Sequence, residues 1–214
     1  MNPASEAAAA ADRGIDFEIG RLDDYLRQAL PGLAGKLVVD RTVGGMSNPT
    51  YFLRRGDWQA VLRKQPNAVL MASAHAIDRE YRVLNALRDS AVPVPTPLLY
   101  CTDREVVGTP FYLMERIDGR VFDGFAMLGV PAPERSAMYE SMGATMVALH
   151  VVDFRAVGLA DYGRPGNYFA RQLNRWSQQW TQFRRGDDDN PNLDRLVAWL
   201  AERVPESHTI ALCH

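Results

Sequence analysis

Cysteine is scarce in this sequence, which contains only Cys101 and Cys213 among its 214 residues. The two positions are far apart along the chain, so they do not indicate the dense disulfide framework of a small secreted domain. This scarcity favours a reduced, cytoplasmic protein, although two cysteines alone do not decide the compartment.

An excess of charge of either sign is also lacking, as are long apolar runs. The 24 Lys and Arg residues nearly balance the 26 Asp and Glu residues, which gives a formal net charge of −2. A protein without a basic excess is not expected to bind nucleic acid or an anionic membrane surface. No apolar run approaches the roughly 20 residues needed to cross a bilayer. We therefore expect neither nucleic acid nor a membrane as a partner.

The alanine-rich segment 1–14 lacks the basic start of a secretory signal peptide, and it carries Glu6. A signal peptide is therefore not predicted, and we expect a disordered or weakly helical tail. A helix is predicted next, from Phe17 to Leu30. Across the whole chain, 47% of the residues are hydrophobic and 23% are charged, which is typical of a globular protein with a substantial core.

The stretch Leu37–Pro66 has the pattern of three consecutive antiparallel strands, with short apolar runs on either side of Gly44 and Gly45. Two adjacent glycines permit positive φ angles and let the backbone approach a ligand closely. Ser47 and Asn48 add side-chain donors beside the backbone N–H groups, an arrangement that suits a phosphate. An ordinary hairpin with a glycine turn is the simpler alternative.

The third of these strands ends in two adjacent cations, Arg63 and Lys64. Side chains alternate along a strand, so Val61 and Arg63 share one face while Leu62 and Lys64 share the other. Because Leu62 is the better core residue, we expect Arg63 to face a ligand. Lys64 stays the second candidate, since the end of a short strand can twist. Both could instead be exposed charges at a strand end.

A helix is predicted from Ala74 to Arg88, and Glu80 lies early in it. The Glu80 carboxylate could pair with Arg63 and hold it in place, or it could only stabilise the N-terminus of the helix. The proline-rich segment 92–97 should be extended. Strands are predicted at Leu98–Cys101 and Phe111–Ile117, with a turn over residues 102–109 between them.

The second half of the chain has helical periodicity, with helices predicted at Pro133–His150, Asn167–Arg185 and Asn192–Val204. The first should bury a methionine-rich stripe. The second carries aromatic and leucine side chains at alternating spacings of four and three, which predicts a core seam. The third should turn its leucine and valine side chains inward. The seam comprises Phe169, Leu173, Trp176, Trp180 and Phe183.

The ordered set of motifs resembles the aminoglycoside phosphotransferase family of protein-kinase-like small-molecule kinases. The matching segments are GGMSNPTYFL, AVLRKQP, REYRVLNAL, VPVPTPL and FYLMERIDG, followed by MVALHVVD and NYFARQLNRWSQQW. The resemblance covers about residues 17–214. In detail it is closest to the kinase-like domains that are fused to acyl-CoA dehydrogenases.

The resemblance implies an α+β, bilobal protein-kinase-like fold. Residues 15–117 would form a nucleotide-binding lobe, a five-stranded antiparallel sheet with one packed helix. Residues 118–214 would be the first part of a helical C-terminal lobe. The hinge between the lobes would read the nucleotide base through its backbone. The implied nucleotide-binding residues are Gly44, Gly45, Ser47, Asn48, Arg63, Lys64 and Glu80, with Met114, Glu115 and Ile117 at the hinge.

The resemblance also implies ATP and Mg²⁺ as cofactors and a hydroxyl group of a small molecule as the phosphoryl acceptor. That molecule would be aminoglycoside-like, or a hydroxy or hydroxyacyl metabolite. His214 would open the family's His-Gly-Asp motif, so the acceptor-side Asp and the metal ligands would lie beyond residue 214. We therefore expect the 214-residue stretch alone to be inactive. The alternatives are a nucleotide-binding pseudokinase and an interaction module that uses the aromatic helix.

Overall fold

The structure is a computed structural model that describes residues 14–42, 48–67, 76–122, 124–164, 166–183, 190–206 and 210–213. The chain divides into two compact units, residues 1–149 and residues 150–214. The lobe boundary implied at residue 117 stays a prediction, and the tail predicted at residues 1–14 lies outside the described residues apart from Gly14.

The described elements of the first unit are both strands and helices, and those of the second unit are helices. In chain order they are α1 (Ile19–Ala29), β1 (Val38–Arg41), β2 (Thr50–Arg55), β3 (Trp58–Lys64), α2 (Ile77–Leu87), β4 (Pro97–Cys101), α3 (Arg104–Val107), β5 (Phe111–Glu115), α4 (Ala132–His150), α5 (Tyr168–Phe183) and α6 (Pro191–Ala201).

The five strands form one sheet in the order β1-β2-β3-β5-β4, and every neighbouring pair is antiparallel. The predicted five-stranded antiparallel sheet and the α+β class are therefore confirmed. The chain reverses direction between β1 and β2, and again between β2 and β3. Strand β5 then inserts between β3 and β4, so the last of the five strands in sequence is an interior strand and not an edge strand.

One face of the sheet packs against α1. Leu22 and Leu26 lie one helical turn apart, and both are fully buried. They share one core cluster with the inward side chains of β2, β3 and β5, which include Leu53, Leu62 and Leu113. The short helix α3 contributes to this same layer, and it corrects the prediction of a simple turn over residues 102–109.

The opposite face of the sheet carries α2, the helix that the sequence predicted there. The ring of Tyr81 stacks on Tyr100 of β4 at 5.3 Å between ring centroids, and it contacts Tyr112 of β5 at 5.9 Å. Aromatic pairs at these separations stabilise packing beyond the area that they bury. Helix α2 is thereby fixed over β4 and β5, with its N-terminal turn close to β3.

The described helices beyond the sheet are less buried than the sequence predicted. No residue of α4 is buried, and Met142 is half exposed, so the prediction of a buried methionine stripe is wrong. Helices α5 and α6 contact each other, and the indole Nε1 of Trp180 donates to Asp194 Oδ1 at 3.0 Å. Trp176 is nevertheless 60% exposed, so the predicted seam is only partly covered. The predicted inward side chains of α6 are also partly exposed.

Among the described residues, no helix is long and apolar enough to cross a membrane.

Candidate functional site

The α2 face of the sheet carries two parallel rows of side chains. Strand alternation places Thr50, Arg63 and Tyr112 opposite one another in a polar row across β2, β3 and β5. Two residues further along each strand pair, Phe52, Val61 and Met114 form an apolar row. The face therefore offers a cation and hydroxyl groups beside an apolar strip.

Arg63 and Glu80 form an ion pair at the polar row. The Arg63 Nε donates to Glu80 Oε2 at 3.0 Å, and its Nη2 donates to Glu80 Oε1 at 3.3 Å. This two-point geometry matches the planar guanidinium to the carboxylate. The two side chains are 25% and 34% exposed, so the pair is open to one side. The pairing that the sequence predicted between strand and helix is present.

The Glu80 carboxylate has two further donors. Asn48 Nδ2 donates to Glu80 Oε1 at 2.7 Å, and the Tyr112 hydroxyl donates to Glu80 Oε2 at 3.1 Å. Each carboxylate oxygen therefore accepts two hydrogen bonds, which is its full capacity. Burial raises the pKa of Tyr112, and the adjacent Glu80 carboxylate raises it further. The phenol therefore stays protonated and serves as a donor.

Lys64 lies on the opposite face of β3, away from Glu80. Its fully buried ammonium group donates to both oxygens of Asp16 at 3.1 Å and to Asn67 Oδ1 at 3.0 Å. Burial lowers the pKa of Lys64, while the hydrogen bond with Asp16 opposes that shift. Of the two cations that the sequence offered, Arg63 is therefore the one that lies on the Glu80 face. Lys64 ties the segment before α1 to the sheet.

The hinge candidates begin where the apolar row ends. Met114 is half-buried in that row, whereas Ile117 is exposed. The backbone N–H of Glu115 donates to Thr96 O at 2.8 Å, and the Glu115 carboxylate accepts from the Thr96 hydroxyl at 2.8 Å. That hydroxyl bond lowers the pKa of Glu115. The N–H and the carboxylate of Glu115 are therefore engaged with the segment before β4.

Several predicted site residues lie outside the described residues. These are Gly44, Gly45 and Ser47 in the glycine-rich connection, and His214 at the C-terminal end of the sequence. The described part of the chain contains no cluster of three or more His, Cys, Asp or Glu side chains that could hold a metal ion. No ligand for Mg²⁺ is therefore assigned among these residues.

Sequence reasoning missed two residues of this face. Tyr112 completes the polar row, and Phe52 lies in the apolar row with the Arg116 guanidinium 4.5 Å from its ring centroid. Alternation along β2 and β5 could have placed both on the outer face, because their neighbours Tyr51 and Leu113 are core residues. The order β3-β5-β4, which brings Tyr112 next to Arg63, could not be read from local patterns.

Comparison with known sequences identifies similar proteins for nearly the whole chain. Residues 40–214 match the family described as the phosphotransferase enzyme family. Acyl-CoA dehydrogenase family member 11 of Rattus norvegicus is 40% identical over 195 residues, which cover 89% of this chain and 25% of that protein. The chain thus spans about a quarter of the length of that relative.

Comparison with solved structures supports the same fold. A crystal structure from Ralstonia eutropha JMP134, described as a candidate aminoglycoside phosphotransferase, is 38% identical with a TM-score of 0.74. The match covers 89% of this chain and 55% of that one. The structure of APH(2")-IIia in complex with GDP and kanamycin is 15% identical with a TM-score of 0.53, and covers 85% of this chain and 57% of that one. This second likeness concerns the fold alone.

Proposed function

Because this chain belongs to the phosphotransferase enzyme family, we propose that it binds a nucleoside triphosphate, with ATP as the expected species. The terminal phosphoryl group would be transferred to a hydroxyl group of a small molecule. The observation that carries this proposal is the Arg63–Glu80 pair, which sets a fixed cation at the polar row of the sheet.

Arg63 is suited to hold the phosphates. Its contacts with Glu80 use Nε and one N–H of Nη2, and a guanidinium has five N–H donors. Donors therefore remain on the guanidinium, and a phosphate can accept more than one of them. Glu80 fixes the orientation of the group before the ligand arrives, so less side-chain entropy is lost on binding. The glycine-rich connection with Gly44, Gly45 and Ser47 is proposed to surround the same phosphates with backbone N–H groups.

The apolar row is suited to the nucleotide base. Phe52, Val61 and Met114 lie two residues along their strands from the polar row, a separation of roughly 7 Å. A base placed against this row would have its phosphates directed toward Arg63. The exposed chain around Ile117 would meet the polar edge of the base. Lys64 has no part in this proposal, because its ammonium group faces the opposite side of the sheet.

Transfer of the phosphoryl group breaks its bond to the bridging oxygen of the nucleotide and forms a bond to the acceptor hydroxyl oxygen. The acceptor proton must pass to a base, and no described residue is assigned that role. Mg²⁺ would neutralise the charge on the phosphates, but the described residues do not include a metal cluster. The contribution proposed for these residues is therefore to bind and orient the nucleotide.

The proposal is tested with radiolabelled ATP and GTP, Mg²⁺ and a panel of small alcohols, amino sugars and hydroxyacyl compounds. The full-length gene product is expected to phosphorylate at least one class of hydroxyl compound. Arg63→Ala should lower kcat/KM for the nucleotide roughly 10- to 100-fold, because charge-assisted hydrogen bonds to the phosphates are lost. Arg88→Ala, which alters an exposed arginine at the C-terminal end of α2, should leave it unchanged.

Three outcomes separate the candidate functions. Nucleotide-dependent transfer that requires Arg63 supports the proposal. Nucleotide binding without transfer to any acceptor would favour a pseudokinase that regulates a partner. No binding of either nucleotide would contradict the proposal and favour an interaction module.

A further inference from the structure

We infer that Tyr112 and Asn48 are positioning residues, which fix the Glu80 carboxylate so that Glu80 in turn orients Arg63. This inference rests on the proposed function, since the group that is oriented is the proposed phosphate ligand. It also reassigns Asn48, which the sequence suggested as a direct phosphate donor. The carrying observation is that both residues direct a donor at the carboxylate that holds Arg63.

An ion pair that is partly exposed does not fix its own geometry. Arg63 and Glu80 both have long side chains with several rotatable bonds, and ordering them is entropically costly. Pairs open to solvent gain little free energy to offset that cost. The guanidinium would therefore sample several positions if Glu80 were held by Arg63 alone.

Tyr112 and Asn48 supply the restraint from rigid positions. Tyr112 is buried in the interior strand β5, opposite Arg63, and its ring also contacts Tyr81 of α2. Its hydroxyl approaches Glu80 Oε2, the oxygen that also accepts the Arg63 Nε. The tyrosine side chain has one rotatable bond fewer than the glutamate side chain that it contacts, so it holds its hydroxyl donor in place.

Asn48 provides the second restraint on the other oxygen. It is 6% exposed and lies two residues before β2 in the sequence. Its Nδ2 reaches Glu80 Oε1, which also accepts Arg63 Nη2. Asn48 and Tyr112 therefore donate to different oxygens of the same carboxylate. With one N–H of its side-chain amide directed at Glu80, Asn48 acts on Arg63 through that carboxylate.

The first experiment measures the restraint without any nucleotide. In ¹⁵N-labelled protein, the Arg63 Nε–H resonance is identified by its loss in Arg63→Lys, and its exchange with water is measured. We expect exchange to be roughly 10-fold faster in Tyr112→Phe, because one hydrogen bond on the shared carboxylate is removed. Tyr100→Phe is the matched control. It changes the neighbouring tyrosine in the same row, which donates none of the four bonds on Glu80.

Asn48→Asp is the second variant, and it keeps the test decisive if Tyr112→Phe folds poorly. It has the same shape but sets a carboxylate against the Glu80 carboxylate, where the wild type has a 2.7 Å hydrogen bond. Repulsion between the two charges should displace Glu80 and also accelerate exchange at Arg63. Unchanged exchange in the folded variants would overturn the inference.

The second experiment asks whether the restraint acts through Arg63. Tyr112→Phe should weaken MgATP binding roughly 3- to 10-fold in the wild-type background. It should have no further effect in the Arg63→Ala background, because the group that it positions is gone. An equal loss in both backgrounds would show a merely structural role and overturn the inference. If the wild type binds no nucleotide, the proposed function fails, while the exchange measurement still decides whether Tyr112 and Asn48 orient Arg63.

Discussion

Arg63 and Lys64 are adjacent cations whose environments differ because strand β3 directs them to opposite faces. Arg63 is partly exposed and pairs with a carboxylate that also accepts hydrogen bonds from Asn48 and Tyr112. Lys64 is fully buried and shares Asp16 with the hydroxyl of Tyr51, which donates to Asp16 Oδ1 at 2.6 Å. The first arrangement suits an incoming anion, whereas the second closes a structural contact.

Replacing Asp16 tests the structural role given to Lys64. Asp16→Asn leaves the buried ammonium group without its counter-charge, and breaking such a pair costs about 3 kcal/mol or more. We expect the free energy of unfolding, measured with urea at pH 7, to fall by about that amount. Asp24→Asn, at an exposed position on α1, should change it little. A small effect of Asp16→Asn would contradict the role assigned to Lys64.

Tyr112 gives the stability a dependence on alkaline pH. Burial raises its pKa above the ordinary value of 10.0, so the unfolded chain releases the phenol proton at lower pH than the folded protein does. The resulting stabilisation is fully present below about pH 10 and is lost as the pH rises toward the folded pKa. The free energy of unfolding should therefore decline less between pH 9 and 11 in Tyr112→Phe than in the wild type. Parallel declines would contradict the raised pKa.

At the scale of the elements, strand β3 and helix α2 together form the site. Strand alternation favoured Arg63 as the cation that faces away from the core, but it left open whether Glu80 pairs with Arg63 or only stabilises the start of its helix. The kinase-like order of the motifs favoured the pair, and the structure contains it. The contribution of Tyr112 was not predictable in this way, because it depends on β5 inserting beside β3. Asn48 was placed at the site by its proximity to the glycines, but its partner could be identified only from the fold.

Helix α1 packs against the face of the sheet opposite the site, and replacing Leu26 tests how much this packing stabilises the fold. Leu26 is fully buried in the core cluster beneath β2 and β3, so Leu26→Ala should lower the free energy of unfolding by about 2–5 kcal/mol. Leu98→Ala, at a 37% exposed position on β4, should cost much less. Chemical denaturation of both variants measures the difference, and equal losses would place the core elsewhere.

At the scale of the whole molecule, the sheet has a dense core, whereas the described helices α4, α5 and α6 leave apolar side chains exposed. The sequence predicted these three helices correctly from the spacing of their apolar side chains, because helical periodicity is a local property. Periodicity alone does not determine how exposed each helix is, since burial depends on what packs against each face. Trp176 and Leu196, which are 60% and 47% exposed, line the same groove between α5 and α6.

An exposed apolar groove should make the 214-residue chain prone to self-association. The apparent molar mass of the purified chain, measured by light scattering, should rise with concentration. At equal concentration it should be lower in Trp176→Gln, because that change removes the large exposed indole. Arg195→Gln, at an exposed position on α6 outside the groove, is the control. Equal apparent molar masses of the wild type and Trp176→Gln at the same concentration would show that this groove does not drive association.

The central claim is that Arg63 binds the phosphates of a nucleotide whose base lies against the apolar row. The most direct measurement compares the affinities of adenosine, ADP and ATP, and of the guanine series, for the wild type and Arg63→Ala. We predict that the wild type binds the triphosphate more tightly than the nucleoside, and that Arg63→Ala removes most of this difference while leaving nucleoside affinity unchanged. A variant that keeps the full preference for the triphosphate, or that loses nucleoside and triphosphate affinity equally, would contradict the claim.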